Sequence, residues 1–492
     1  MAKDYILSLD QGTTSSRAML FDKRGNVFFK AQQEIKCFFP HDGWVEQDPI
    51  DIWLSILYVI NDVLAKCNLT YDDIDSIGLT NQRETTVIWD KITGMPVYNA
   101  IVWQSRQSVK YCNDWRNYEK IVHEKTGLII NPYFSASKIR FILDNIPNGQ
   151  ARAENGELMF GTIDTWIMYK LSKHHIFKTD VTNASRTMLF NINTLSYDDE
   201  LLNLFNIPKC MLPEVCPSSH IFGYAEALRS DLVIAGVAGD QQAALFGQNC
   251  FNEGESKNTY GTGCFMLMNV GEKPIYSKNG LITTIAWQLD NKVIYALEGS
   301  VFIGGASVQW LRDQMRMIKN ASESENYANK VNSDLGVYVV PAFVGLGAPY
   351  WDDECRGAVF GLTRGTQKEH FIRATLNSIA LQSKDVMKTM ERDSKKKIKV
   401  LKVDGGATAN SYLMQYQSNI LKTKILLPFC LETTALGAAY LAGLCTGFWK
   451  DLEEIKNVHR YQKEYFPTFD NKTIKEIDRK RHNAIKATRI FK

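Results

Sequence analysis

The stretch YILSLDQGTTSSRAMLFD, residues 5 to 22, constrains the fold of this chain more than any other. An apolar run ends at Asp10, passes Gly12 and the hydroxyls of Thr13, Thr14, Ser15 and Ser16, carries Arg17 and turns apolar again. A minimal hairpin needs only about two turn residues, so the polar insert asks for another explanation. Strands are predicted at 5–10, 17–22 and 27–35, with DKRGN as the turn joining the last two. In QDPIDIWLSILYVINDVLAKC, Asp48 is placed to cap a helix and Pro49 to open it. Ile52, Ile56, Val59, Ile60 and Val63 then recur at helical spacing. IDSIGLT and TTVIWD return to strand. Strands alternating with helices specify an α/β class fold, a mixed or parallel sheet covered by helices.

At 492 residues the chain is too long for one ordinary core. NTYGTGCFMLMN, residues 258 to 269, echoes the first stretch as a second Gly-Thr turn entering an apolar strand. The polar, Gly-containing FGQNCFNEGESKN suggests a boundary near residue 250, which divides the chain into 1–250 and 251–492. A turn of this kind in each half leaves a cleft between two lobes, where ligands usually sit.

The charge balance is 57 basic against 54 acidic residues, a net +3, which gives no reason to expect nucleic acid as a partner. The longest basic run, Lys395 to Lys397, reads as a solvated turn. Ten cysteines form no CxxC pair and the histidines no HExxH, so reduced thiols in a cytosolic protein are expected rather than zinc or disulfides. No apolar run reaches the length of a membrane span, and no leader pattern precedes the first strand. A soluble, cytoplasmic chain is expected.

Four stretches carry chemistry. In DQGTTSSR, Gly12 permits close backbone approach, successive N–H groups can form an anion nest, and Arg17 adds a charge suited to phosphate. Asp10 at the strand end could hold a Mg²⁺-bound water. The competing reading is a hydroxyl-rich surface hairpin. VAGDQQAALFG sets Asp240 between a strand and a helix, where the stretch on its own reads first as an N-cap. TNQRETTVIWD sets Arg83 beside Glu84. Neighbours on a strand face opposite ways, so both can serve one site only at a bulge or turn. LKVDGGATANSYLMQ orders a strand, a Gly-Gly turn and a helix start, which suits phosphate or adenosine at a helix N-terminus or else a plain tight turn.

LDQGTTSSRAML, TNQRETTVIWD, NAIVWQSR, NPYFSASKI, AGDQQAALFGQ, NTYGTGCFM, YALEGSVFIGGASVQWL, AFVGLGAPYWD and VDGGATAN together resemble the FGGY carbohydrate-kinase family, in order from about residue 5 to residue 449. The resemblance, strongest to the family's glycerol-phosphorylating members, implies two actin-like, ribonuclease-H-like lobes with ATP and glycerol meeting in the cleft. Carried over by position, Arg83, Glu84, Tyr133, Asp240 and Gln241 hold the hydroxyls of glycerol, and Trp103 and Phe265 wall its carbon chain. Thr13, Thr14, Ser15 and Arg17 fall on the phosphate loop. Thr262, Gly305, Gln309, Gly406 and Asn410 fall on the nucleotide side. The resemblance also implies Asp240 as general base, Mg²⁺ held at Asp10 through water and at Asp240, and a homodimer or homotetramer.

Three departures stand out. Phe141 occupies a position the family signature gives to Trp, and Asn377 one it gives to an acid or Gln. Between Tyr224 and Ala238 the chain lacks the Gly-rich basic loop that binds fructose 1,6-bisphosphate in some bacterial members, so that feedback is expected to be absent. The rival readings are a family kinase for another polyol or sugar, such as erythritol or a pentulose, an actin- or Hsp70-like ATPase, and a paralogue without activity. The basic stretch TIKEIDRKRHNAIKATRIF reads as a surface helix.

Overall fold

The structure is a computed structural model that describes residues 3–352 and 354–491. Its first three strands are Tyr5–Gln11, Ser15–Phe21 and Val27–Glu34, within a residue or two of the sequence expectation. The helix Pro49–Cys67 comes next, with the Asp48 carboxylate accepting from Ile50 N at 2.7 Å. It ends at Asn68 in the left-handed region, φ 53°, as helices commonly do. Ile52, Ile56, Val59, Ile60 and Val63 form its buried face, packed over the first three strands.

The main sheet has thirteen strands, and its two halves repeat one plan. In the first half the order is Val27–Glu34, Ser15–Phe21, Tyr5–Gln11, Ile74–Asn81, Val233–Gly239. The pairings along it run antiparallel, antiparallel, parallel, parallel. In the second half Lys292–Val301, Cys264–Gly271, Ser256–Tyr260, Val400–Asp404 and Lys424–Pro428 stand in the same order and directions. The repeat that residue identities barely hinted at is therefore complete in topology. The halves meet at the single register pair Ser219–Leu289.

Two helices lock the halves together behind the sheet. Asp240–Gly247 succeeds the last parallel strand of the first half, and Thr433–Thr446 packs against it and across Ile74–Asn81 and Val233–Gly239. Their backbones touch, since a Cβ on Gly437 would overlap the Ala243 carbonyl and one on Gly247 the Thr433 carbonyl.

Both signature departures are absorbed locally. Phe141 meets Trp44 edge-on at 5.3 Å and Tyr98 at 6.0 Å. Asn377 donates to Asp334 Oδ2 at 3.0 Å and accepts from the Tyr412 hydroxyl at 2.7 Å. Between Tyr224 and Val233 the chain makes one short turn, in which Arg229 pairs with Asp72 and Asp231. All ten cysteines are free thiols. Among the described residues no helix is long and apolar enough to cross a membrane. The basic C-terminal stretch is the helix Asn471–Ile490, laid on the surface through Ile474, Arg481, Ala484, Ile485 and Thr488.

Candidate active site

Three neighbouring parallel strands end at one level, with Gln11 and Gly239 both in register with Asn81. The segments leaving these strand ends supply the site, and ligands in open parallel sheets bind at that edge. Asp10 is the last residue but one of the first strand, Arg83 and Glu84 come just after the second, and Asp240 just after the third.

The Arg83–Glu84 pair lies in a turn beyond the strand, and Glu84 has φ 60°. That left-handed residue brings both side chains to one side, as adjacent residues require if they serve a single site. Arg83 Nε stands 3.2 Å from Asp240 Oδ1. Its Nη1 and Nη2 donate to Glu298 at 2.7 and 2.8 Å, and Nη2 reaches the Tyr133 hydroxyl at 3.4 Å. Glu84 Oε1 accepts from Arg186 Nε at 2.6 Å.

Asp240 is the first residue of its helix, and Gly239 takes the cap position. This corrects the N-cap reading. A Cβ at residue 239 would overlap the Arg83 stem, which favours glycine at the cap. Oδ1 of Asp240 accepts from Gln241 N at 2.8 Å, and Oδ2 from Gln241 Nε2 at 3.2 Å. Trp103 stands edge-on to Tyr133 at 5.6 Å and to Phe265 at 6.3 Å. Tyr133 joins these rings to the polar cluster through its hydroxyl, 3.4 Å from Arg83 Nη2.

The first hairpin closes with Gly12 N donating to Ser15 O at 2.9 Å. Ser15 is buried at the start of the second strand, Thr14 is exposed, and Thr13 Oγ1 accepts from Trp103 Nε1 at 2.8 Å. That bond ties the first hairpin to the Trp103–Tyr133–Phe265 rings. Arg17 is opposite Asp10 in register, 3.7 Å from its carboxylate, and also pairs with Glu432 at 3.1 Å.

In the second half the hairpin tip is joined to the turn before the helix Ala306–Asp313, since Thr262 O accepts from Gly304 N at 2.8 Å and from Ala306 N at 3.0 Å. Gly305 sits at that helix's N-cap, and Gln309 points outward from its first turns. Gly405 has φ 90° and lies so near the Tyr260 backbone that no Cβ fits. A Cβ on Gly406, by contrast, would meet nothing within 4 Å, so the turn presents bare backbone to open space. Asn410 caps the next helix through Leu413 N at 2.9 Å and also reaches Ser324 Oγ at 3.3 Å. Gln309 and Asn410 thus belong to the first turns of two second-half helices.

Residues not singled out from the sequence complete the cluster. Glu298 and Arg186 are fully buried, and Arg186 lies over the Tyr133 ring at 5.6 Å. Lys257 is also fully buried and donates to Gln241 Oε1. The available signal was a charged residue inside an apolar run, as in YALEGSVF and NASRTMLF. Burial works against the Glu298 charge, but the guanidiniums of Arg186 and Arg83 outweigh it and pull its pKa down to about 2. For Glu84 burial prevails over Arg186 and Arg83, and its pKa is raised. Two guanidiniums therefore face three carboxylates, and of those three only the Asp240 side chain, 31% exposed, reaches solvent.

Among the described residues no three His, Cys, Asp or Glu side chains gather as a ready metal cage. The acids beside the first hairpin nevertheless suit a divalent cation that keeps most of its water. Burial, with the nearby Asp240 and Glu432 carboxylates adding to it, raises the Asp10 pKa to about 6 against the pull of Arg17. A cation there would relieve that crowding of like charge.

Residues 5–247 match the N-terminal domain, and residues 256–445 the C-terminal domain, of the FGGY family of carbohydrate kinases. Over 495 aligned residues, and all of both chains, the protein is 57% identical to the glycerol kinases of Bacillus cereus strain AH187 and of Bacillus anthracis strain CDC 684 / NRRL 3495. The fold superposes on the crystal structure of Plasmodium falciparum glycerol kinase with ADP with a TM-score of 0.91, at 37% identity over 98% of each chain. A ligand-bound xylulose kinase of Lactobacillus acidophilus, 23% identical with a TM-score of 0.84 over 94% of each chain, shares the fold.

Proposed function

Since the chain belongs to the FGGY family of carbohydrate kinases, we propose that it transfers the γ-phosphoryl group of ATP to glycerol, giving sn-glycerol 3-phosphate. The observation that carries this reading is the Arg83–Glu84–Asp240 cluster beneath the Trp103–Tyr133–Phe265 wall, in a chain 57% identical to named glycerol kinases.

A small triol offers little apolar area, so recognition rests on polar groups that a missing hydroxyl would leave unpaired. Arg83 offers only donors and Glu84 only acceptors, which together serve hydroxyls that do both. Glu298 and Arg186 occupy the far edges of both groups and hold them in place. Trp103 and Phe265 flank the carbon chain. Asp240 takes the proton of the attacking hydroxyl, and its support for this role is that it alone of the three acids reaches solvent. The amides of the hairpin after Asp10, with Arg17, bind the transferring phosphoryl group, and the second hairpin with Gly305 and Gly406 faces the rest of the nucleotide.

Asp10, through water, and Asp240 would hold Mg²⁺, which when bound neutralises phosphate charge. Phosphoryl transfer asks the protein mainly for position and charge, and water must be kept from competing with glycerol. Closure of two lobes divided near residue 250, in a cytoplasmic homodimer or homotetramer, belongs to the same reading. Phosphorus NMR of the product from ATP and glycerol tests it. A resonance matching glycerol 3-phosphate is expected, and inorganic phosphate alone would refute it.

A further inference from the structure

Lys257, fully buried in Ser256–Tyr260, has no task among the groups that bind glycerol, accept its proton or hold phosphate. Its Nζ donates to Gln241 Oε1, and to Thr259 Oγ1 at 2.9 Å. Gln241 Nε2 then donates to Asp240 Oδ2 at 3.2 Å. A glutamine amide has accepting and donating ends of nearly the same shape, so its neighbours decide which way it faces. An ammonium has only donors and can meet only the oxygen. With Oε1 held by Lys257, the NH₂ is turned toward Asp240. Reversed, the amide would set its oxygen against a carboxylate oxygen.

We propose that Lys257 is a positioning residue for phosphoryl transfer, fixing the Gln241 amide so that it orients the Asp240 carboxylate. This rests on the reading of Asp240 as base. With Gln241 N and Arg83 Nε on Oδ1 and Gln241 Nε2 on Oδ2, one lone-pair direction of Oδ2 stays free for the substrate proton. Lys257 comes from the first strand of the second half, and Gln241 from the helix that ends the last parallel strand of the first. The bond therefore ties the base to the half that carries the second hairpin. Burial lowers the Lys257 pKa to about 8, while Asp404 and Asp240 act to keep the charge. The alternative task is that of a bare positive charge acting on the transferring phosphoryl group.

The two tasks part on substitution. Lys257→Gln supplies a neutral donor, whereas Lys257→Met and Lys257→Ala supply none. Positioning predicts that Met and Ala lower kcat by about tenfold to a hundredfold, beyond any rise in KM, while Gln stays within about threefold of the parent. In a Gln241→Ala background, Lys257→Met should cost less than about twofold more. Equal losses for Met and Gln, or additive losses in that background, would overturn the proposal.

A readout without turnover separates this inference from the reaction itself. The Gln241 side-chain amide resonance, identified by its loss in Gln241→Leu, should exchange with solvent at least about tenfold faster in Lys257→Met or Lys257→Ala than in the parent. Unchanged protection would overturn the proposal whether or not glycerol is phosphorylated. Absence of glycerol-dependent turnover in the parent, with exchange accelerated as expected, would instead refute the reaction and leave the Lys257 hold standing.

Discussion

Arg83 Nε lies 3.2 Å from Asp240 Oδ1, a pair formed because two adjacent parallel strands end in register and the chain turns inward after each. The guanidinium steadies the carboxylate without covering it. Replacing Asp240 by Asn keeps the shape and removes the base. Turnover should fall by about 10²–10⁴, the usual size of a general-base contribution, while glycerol affinity measured by calorimetry stays near that of the parent. Near-normal turnover would take Asp240 out of the role.

The other edge of Arg83 is sealed against Glu298. Arg83→Met leaves that acid buried beside Arg186 alone, and removing one partner of a buried pair costs about 3–5 kcal/mol. Urea unfolding should report a loss of that size. The double variant Arg83→Met, Glu298→Leu should recover part of it, because the buried acid that lost a partner is gone. A single variant as stable as the parent would contradict this ion network.

Lys138 gives a test in pH. It is fully buried, with Nζ donating to Tyr133 O at 2.6 Å and Phe134 O at 3.2 Å, and burial lowers its pKa to about 7 against the pull of Glu84 and Cys112. Its folded pKa is below the unfolded one, so between pH of about 7 and about 10.4 the unfolded chain binds more protons. This group's contribution to stability therefore rises with pH across that window, by at most about 1.4 kcal/mol per pH unit. Stability measured against pH in the parent and in Lys138→Met should differ by that slope, and parallel curves would refute it.

Gly437 and Gly247 bring two helices into backbone contact, with no room for a methyl group. Gly437→Ala should destabilise by about 1–3 kcal/mol or more, despite the better helix propensity of alanine, because the backbones must part. Denaturant titration decides. A stabilised variant would mean that the two backbones do not touch.

The sequence disclosed the local elements because their causes are local. Asp48 and Pro49 start a helix, five apolar residues at helical spacing give it a buried face, and each hairpin announces itself by glycine and hydroxyls. The doubling of the sheet was legible only at its two Gly-Thr hairpins, because elsewhere topology repeats while side chains do not. The geometry at Arg83 and Glu84 was legible only as a condition. Glutamate has no preference for φ 60°, so that turn is imposed by the packing around it. Asp240 reads first as a cap in sequence, since nothing local says that the Arg83 stem excludes a side chain at residue 239. Glu298, Arg186 and Lys257 needed three dimensions, because each is explained by a partner far away in sequence.

The most direct test of glycerol phosphorylation is ADP formation from MgATP, with glycerol, dihydroxyacetone, glyceraldehyde, erythritol, xylulose or no acceptor. The predicted result is turnover that depends on the acceptor and is fastest with glycerol. ATP consumption indifferent to every acceptor, or fastest with xylulose, would contradict it.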